Sequence, residues 1–301
     1  GVLTATADGT IAIGVEAGNR ITSGAGNLAI GYQCMDALTV GELNTAVGYQ
    51  ALGTSVDGSY NAAFGYQALE VFEAGSNAGE NTALGYRAGR YISTGVSNTF
   101  VGSQAGQAII GTPSVANSNT AVGKDALMVI QTGDENTAIG ANALDANTTG
   151  ADNTAIGKSA LSPNTTANNN VAVGRTALEV NTTGANLTAV GRDALASNTT
   201  ASNNVAVGYQ SLFANTTGSE NVAVGAYVLD ASSTGANNTG VGHQALGANT
   251  TANNNTAVGF YALGANSTGA TNTALGVNAL YANTTASNNV AVGYGSVENN
   301  T

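Results

Sequence analysis

The chain has 301 residues, 41 of them glycine, with only 8% charged residues, 5% aromatics and no tryptophan; its apolar content is therefore mainly Ala, Val, Leu and Ile, enough to fill a thin core. Seven basic residues against 18 acidic ones give a formal charge of −11, which excludes nucleic acid and anionic membrane as main partners, because neither is attracted to a negative surface. Apolar runs fall far short of the roughly 20 residues a spanning helix needs, so a soluble chain without membrane insertion is expected.

A repeat governs the whole chain. Aligned on the glycine of motifs such as Asn-Thr-Ala-Val-Gly, the units run in order through Gly14, Gly31, Gly48, Gly65, Gly85, Gly102, Gly123, Gly140, Gly157, Gly174, Gly191, Gly208, Gly225, Gly242, Gly259, Gly276 and Gly293. The spacing is 17 residues except for 20 between Gly65 and Gly85 and 21 between Gly102 and Gly123. Before each glycine stands an alternating triplet, as in Thr45-Ala46-Val47 or Val205-Ala206-Val207, and period two means strand. After it come two variable residues and usually Ala-Leu, as in Ala51-Leu52, a second short apolar edge. A polar corner such as Asn147-Thr148-Thr149-Gly150 closes the unit, with residues that suit turns.

Seventeen residues fit one coil of two short strands and two corners. The fold class expected is therefore all-β: a parallel β-solenoid of about 17 coils in one repetitive domain over 1–301, with insertions near 70–80 and 107–118. Coils stacking at about 4.8 Å would give a rod of roughly 80 Å. The repeat glycines, including Gly48, Gly65, Gly140, Gly157, Gly174, Gly191, Gly208 and Gly225, mark a bend or a close backbone approach. The β-branched and large residues of each triplet are expected in the coil's own core. The alanines between them (Ala46, Ala138, Ala155, Ala172, Ala189, Ala206) would then point outward as a narrow stripe for contact with other chains. That column is broken by Phe100 and Gly240. A single thin roll has little core per residue, so association with other copies into a fibre is the natural remedy.

At these motifs the chain resembles the YadA-like head repeats of trimeric autotransporter adhesins, in units such as Asn136-Thr-Ala-Ile-Gly140 and Asn221-Val-Ala-Val-Gly225. Longer stretches with Gly-Tyr-Gln-Ala-Leu, at Gly48 to Leu52 and Gly65 to Leu69, resemble phage tail-fibre proteins. The adhesin repeat is shorter than this one. The resemblance implies left-handed rolls assembled as trimers, and a shaft or head segment of something longer.

Chemistry is sparse. Cys34 has no second cysteine to pair with and is read as a small buried residue, or one that meets its own copies near an oligomer axis. The one histidine, His243, follows Gly242 at a variable position that also holds Tyr49, Lys124, Arg175 and Ala226, and is read as solvent-facing. No dense acidic pattern predicts a calcium ladder, no metal or cofactor is expected, and no general base lies near a nucleophile, so the chain is read as no enzyme. Asn-x-Thr triplets at Asn147, Asn164, Asn181 and Asn198 match the glycosylation pattern, but their fixed place in the coil points to corner chemistry.

Tyrosines are the candidate contact residues. Tyr32, Tyr49, Tyr66 and Tyr86 follow the repeat glycine in four consecutive coils and should stack as a ladder, with Tyr209 and Tyr294 recurring later; such a ladder binds sugar rings, or merely stabilises the rod. The leading expectation is a phage tail-fibre shaft, in the virion or at a cell surface, whose partners are its own copies, other fibre or tail components and host cell-surface glycans. The alternatives are a bacterial adhesin head and an ice-binding solenoid, the last opposed by the lack of a Thr-x-Thr face.

Overall fold

The computed structural model describes residues 7–73, 79–112 and 114–297. The chain divides into two compact units, Gly1–Asn153 and Thr154–Thr301, at a point the repeat does not mark. The first carries β1 (Ile11–Ile13), β2 (Leu28–Ile30), β3 (Thr45–Val47), β4 (Ala62–Phe64), β5 (Thr82–Leu84), β6 (Thr99–Val101), β7 (Thr120–Val122) and β8 (Thr137–Ile139). The second carries β9 (Thr154–Ile156), β10 (Val171–Val173), β11 (Thr188–Val190), β12 (Val205–Val207), β13 (Val222–Val224), β14 (Thr239–Val241), β15 (Thr256–Val258), β16 (Thr273–Leu275) and β17 (Val290–Val292). Among the described residues there is no helix. Within each unit successive strands pair in parallel and in register, Ala46 beside Ala63 and Ala189 beside Ala206, which is a parallel β-solenoid.

The expected second strand of each coil does not form. The Ala-Leu edge is a run of turns in which alternate residues take left-handed backbone, Gln50 at φ 51° and Leu52 at φ 53°. For a side-chain-bearing residue that costs roughly 1–2 kcal/mol, and hydrogen bonds to both neighbouring coils offset it. The Gln50 N–H donates to Tyr32 O at 2.9 Å in the coil before, and the Leu52 N–H to Ala68 O at 3.0 Å in the coil after. The eight repeat glycines singled out above sit at φ between 132° and 142°. A Cβ on Gly157 would stand 2.6 Å from the Gly174 carbonyl oxygen, so the coils could not stack this closely with any other residue there.

The strand faces are the reverse of the sequence expectation. Ala46, Ala138, Ala155, Ala172, Ala189 and Ala206 are fully buried inside their own coil, while the residues on either side of them are partly or largely exposed. No alanine stripe faces outward. The cause is the width of the coil: the strand faces the Ala-Leu turn directly, and beside Leu52 only a methyl group fits. The two exceptions in the column demonstrate it. Phe100 is also fully buried, and the turn positions facing it, where most other coils have leucine, hold Gly89 and Gly106. A Cβ on Gly89 would be 2.9 Å from the Phe100 ring. At Gly240 the opposing turn carries Val228 in place of alanine, and a Cβ on Gly240 would be 2.5 Å from Val228 Cγ1. Volume lost on one side of the coil is taken up by the other, as dense interior packing requires.

From β2 to β16 the residue before the strand is, except at Leu187, a buried asparagine, and these stack into a ladder. The Asn44 N–H and Nδ2 both donate to Asn27 Oδ1, at 3.0 and 3.1 Å, and Nδ2 also donates to Gly58 O at 2.8 Å. Asn61 repeats the pattern on Asn44 Oδ1. Each amide thereby satisfies backbone groups that a turn would leave unpaired. Leu187, also buried, interrupts the ladder in the second unit. A second internal column changes character along the chain, from Ile21, Leu38, Phe72, Ile92 and Ile130 in the first unit to Asn181, Asn198, Asn215, Asn249 and Asn266 in the second.

Candidate functional site: the outward faces

Because alanine points in, the two flanking residues of every strand point out. Their columns contain Thr, Val, Ile, Leu, Ala and Phe and no charged residue, and the exposed apolar members include Phe64 and Leu84 in the first unit and Ile156 and Leu275 in the second. Thr82, Thr99, Thr120 and Thr137 line up on four consecutive rungs. This uncharged face recurs on successive rungs of each unit.

The post-glycine tyrosines form a ladder in the first unit. Rings of Tyr32, Tyr49, Tyr66 and Tyr86 stack at centroid distances of 5.3, 5.0 and 5.5 Å with planes within 17° of parallel. Each is 41–45% exposed. The Arg87 guanidinium lies 4.9 Å from the Tyr86 centroid and closes the file with a cation–π contact. Beside it runs a ladder of amides: Gln33 Nε2 donates to Glu16 at 2.7 Å, Gln50 Nε2 to Gln33 at 3.0 Å and Gln67 Nε2 to Gln50 at 3.1 Å. Glu70 pairs with Arg90 and accepts from Gln67.

In the second unit Tyr209 joins a different cluster. It meets Tyr227 edge-on at 5.2 Å, Tyr227 meets His243, and His243 stacks on Phe260 at 5.5 Å with planes 17° apart. Tyr261 contacts His243, Phe260 and Tyr281. His243 is exposed, as expected of its position, but it is also a rung in this aromatic file. Partial desolvation, followed by the Tyr209 hydroxyl, raises the Tyr227 pKa. Tyr294 stands 83% exposed.

Notches in the outer surface arise among the described residues where glycine occupies the fifth position after the repeat glycine. Gly53 opens a cavity of about 90 Å³ lined by Gln33, Asp36, Gln50, Thr54 and Glu70. Gly247 and Gly264, in consecutive coils, open a larger one of about 250 Å³ between Asp230 and Tyr281, walled by Gln244 and Tyr261. Burial pushes the Asp230 carboxyl above its ordinary pKa, partly opposed by the N–H groups of Asp230 and Ala231 and by His243. Sequence reading missed this site, although a glycine pair at that position was a legible sign.

Several sequence candidates resolve as structural. Cys34 is fully buried, donates its thiol to Ala46 O at 3.2 Å, and burial pushes its pKa up to about 12; it therefore does not meet its own copies at an axis. Asn147, Asn164, Asn181 and Asn198 are fully buried, each giving Nδ2 to the carbonyl three residues on, so the glycosylation pattern lies inside the coil. Of the insertions, residues 74–78 and 113 lie outside the described residues; Ile109 and Thr112 bridge to form a small turn that leaves Ile110 exposed. Among the described residues no three His, Cys, Asp or Glu side chains gather as a metal site, and no helix is long and apolar enough to cross a membrane. No protein-family model matches the chain, and no curated protein matches it.

Proposed function

We propose that this chain is a shaft segment of a homotrimeric fibre, in a phage tail fibre that spaces or presents a receptor-binding tip. The supporting observation is the uncharged outward strand face, repeated on rung after rung of a chain with net charge −11. Monomers seldom leave so long an apolar stripe in water, and a partner that covers it must be equally flat, uncharged and regular, which another copy of the chain is. The interface moves accordingly from the alanines to their neighbours. The head of a trimeric bacterial surface adhesin is the same arrangement in another setting, and in both the chain works outside the cell and catalyses nothing. The tyrosine ladder adds a weak contact for host glycans along the side. Sedimentation at micromolar concentration tests the assembly: three copies of the 29.5 kDa chain are expected, and a compact monomer would refute it.

One observation favours a second reading. The files of threonine turn outward with valine or isoleucine on the same face, so an ice-binding surface would use Thr-x-Val rungs, a Thr-x-Thr face being absent. A monomer that shows thermal hysteresis on freezing would support this reading against the fibre.

A further inference from the structure

The notch at Gly247 and Gly264 is built as a ligand site. The outer column it interrupts carries side chains in other coils, among them Met128, Glu179 and Phe213. Two glycines in succession remove two of them, which at the coil spacing opens a gap of about 10 Å along the column. Asp230 bounds the gap at one end and Tyr281 at the other, with Tyr261 and Gln244 along its side. The Tyr261 and Tyr281 rings stand 5.8 Å apart at 82°, so they form a corner against which a flat apolar face can rest.

One polar group here lacks a donor. Gln244 Oε1 is buried without a hydrogen-bond partner. Asp230 is partly buried and takes part in none of the ion pairs among the described residues. Gln244 Oε1 and the Asp230 carboxylate can each accept a ligand hydroxyl, and the negative carboxylate disfavours an anion. A pyranose ring has both properties, C–H groups on one face and hydroxyls around its edge. The volume of about 250 Å³ is below the roughly 300–1,000 Å³ of sites for drug-sized ligands, which limits the occupant to about one ring.

We propose that Asp230, Gln244, Tyr261 and Tyr281 form a monosaccharide-binding site, Asp230 and Gln244 accepting sugar hydroxyls and the tyrosines stacking on the ring. The site lies within one chain, so it holds whether or not copies assemble. It is also separate from the Tyr32 to Tyr86 ladder. The smaller notch at Gly53 lacks an aromatic wall, and its Glu70 is already paired with Arg90, so it carries no such site.

The test uses the full chain and methyl glycosides of glucose, galactose and N-acetylglucosamine, followed by saturation-transfer NMR and titration. At least one should bind with Kd on the order of 1–10 mM. Gly247→Met should abolish binding by filling the gap. The fold should accept it, because Gly247 is not in left-handed backbone and a Cβ there meets nothing closer than 3.4 Å. Asp230→Ala and Tyr281→Ala should each weaken binding at least about tenfold, while Glu179→Ala, at an exposed position outside the notch, leaves it unchanged. No binding by any of the three glycosides at roughly 50 mM would overturn the proposal. So would binding that survives Gly247→Met with circular dichroism unchanged, or an equal loss of binding in Glu179→Ala.

Discussion

Replacing Phe100 tests the inward orientation of the strands most severely. Its side chain is fully buried in a column otherwise filled by alanine methyls, facing Gly89 and Gly106. Phe100→Ala alone leaves a ring-sized void and should cost about 3–5 kcal/mol. Gly89→Leu with Gly106→Leu in the parent forces two side chains into space the ring occupies, an overpacking cost of at least about 1–3 kcal/mol. If the substitutions were independent, the triple variant would lose roughly 4–8 kcal/mol, as much as many whole domains possess. It should instead lie within about 1–2 kcal/mol of the parent, because Phe100→Ala with both leucines recreates the packing around Ala138, which Leu127 and Leu144 flank. Leucine accepts the left-handed backbone at Gly89 and Gly106, φ 59° and 58°, just as Leu52 does at 53°. The assay is urea unfolding followed by far-UV circular dichroism at fixed protein concentration. A triple variant as unstable as the sum of its parts would refute the packing argument, as would a Phe100→Ala loss below about 1 kcal/mol.

Asn44→Ala removes the acceptor of the Asn61 N–H and the donor to Gly58 O; with two buried backbone groups unpaired, it should cost about 2–5 kcal/mol. Hydrogen exchange at the Asn61 amide should accelerate, and unchanged protection there would contradict the ladder's role. For Cys34, the folded pKa of about 12 lies above the roughly 8.5 of an unfolded thiol. The folded chain therefore holds its proton where the unfolded chain has lost it. This contribution is complete below pH about 8.5 and declines between there and 12 by up to about 1.4 kcal/mol per pH unit. Cys34→Ser should flatten that decline without loss of fold, since Ser211 occupies the equivalent place with its hydroxyl on Ala223 O at 3.0 Å; matching pH profiles for parent and variant would refute it.

The repeat, the glycine file and the tyrosine ladder were legible in the sequence because each depends on period alone. Strand orientation was not: an alternating triplet reads the same whichever face is buried, and the large apolar residues were assigned to the core by habit of composition. The deciding information was nonetheless present. Phe100 opposite Gly89 and Gly106, and Gly240 opposite Val228, are volume exchanges that make sense only if the middle residue of the triplet points into the coil. The asparagine ladder was hidden for another reason. Asparagine beside glycine and threonine suggests a solvated corner, and only stacking at coil spacing turns those amides inward onto one another. The turn that replaces the second strand was equally unreadable, since leucine seldom adopts left-handed backbone unless its surroundings impose it.

The central claim is that alanine faces in, that its uncharged neighbours face out, and that the outward face joins three copies. Native mass measured beside circular dichroism on the parent and on Val122→Lys/Ile139→Lys tests all three parts together. Both positions are at least partly exposed in the single chain, so lysine should leave the coil intact while opposing association with like charge. The account predicts three chains for the parent, and one chain with an unchanged spectrum for the variant. A parent that weighs a single chain would contradict it, as would a variant that unfolds or keeps the parent's mass.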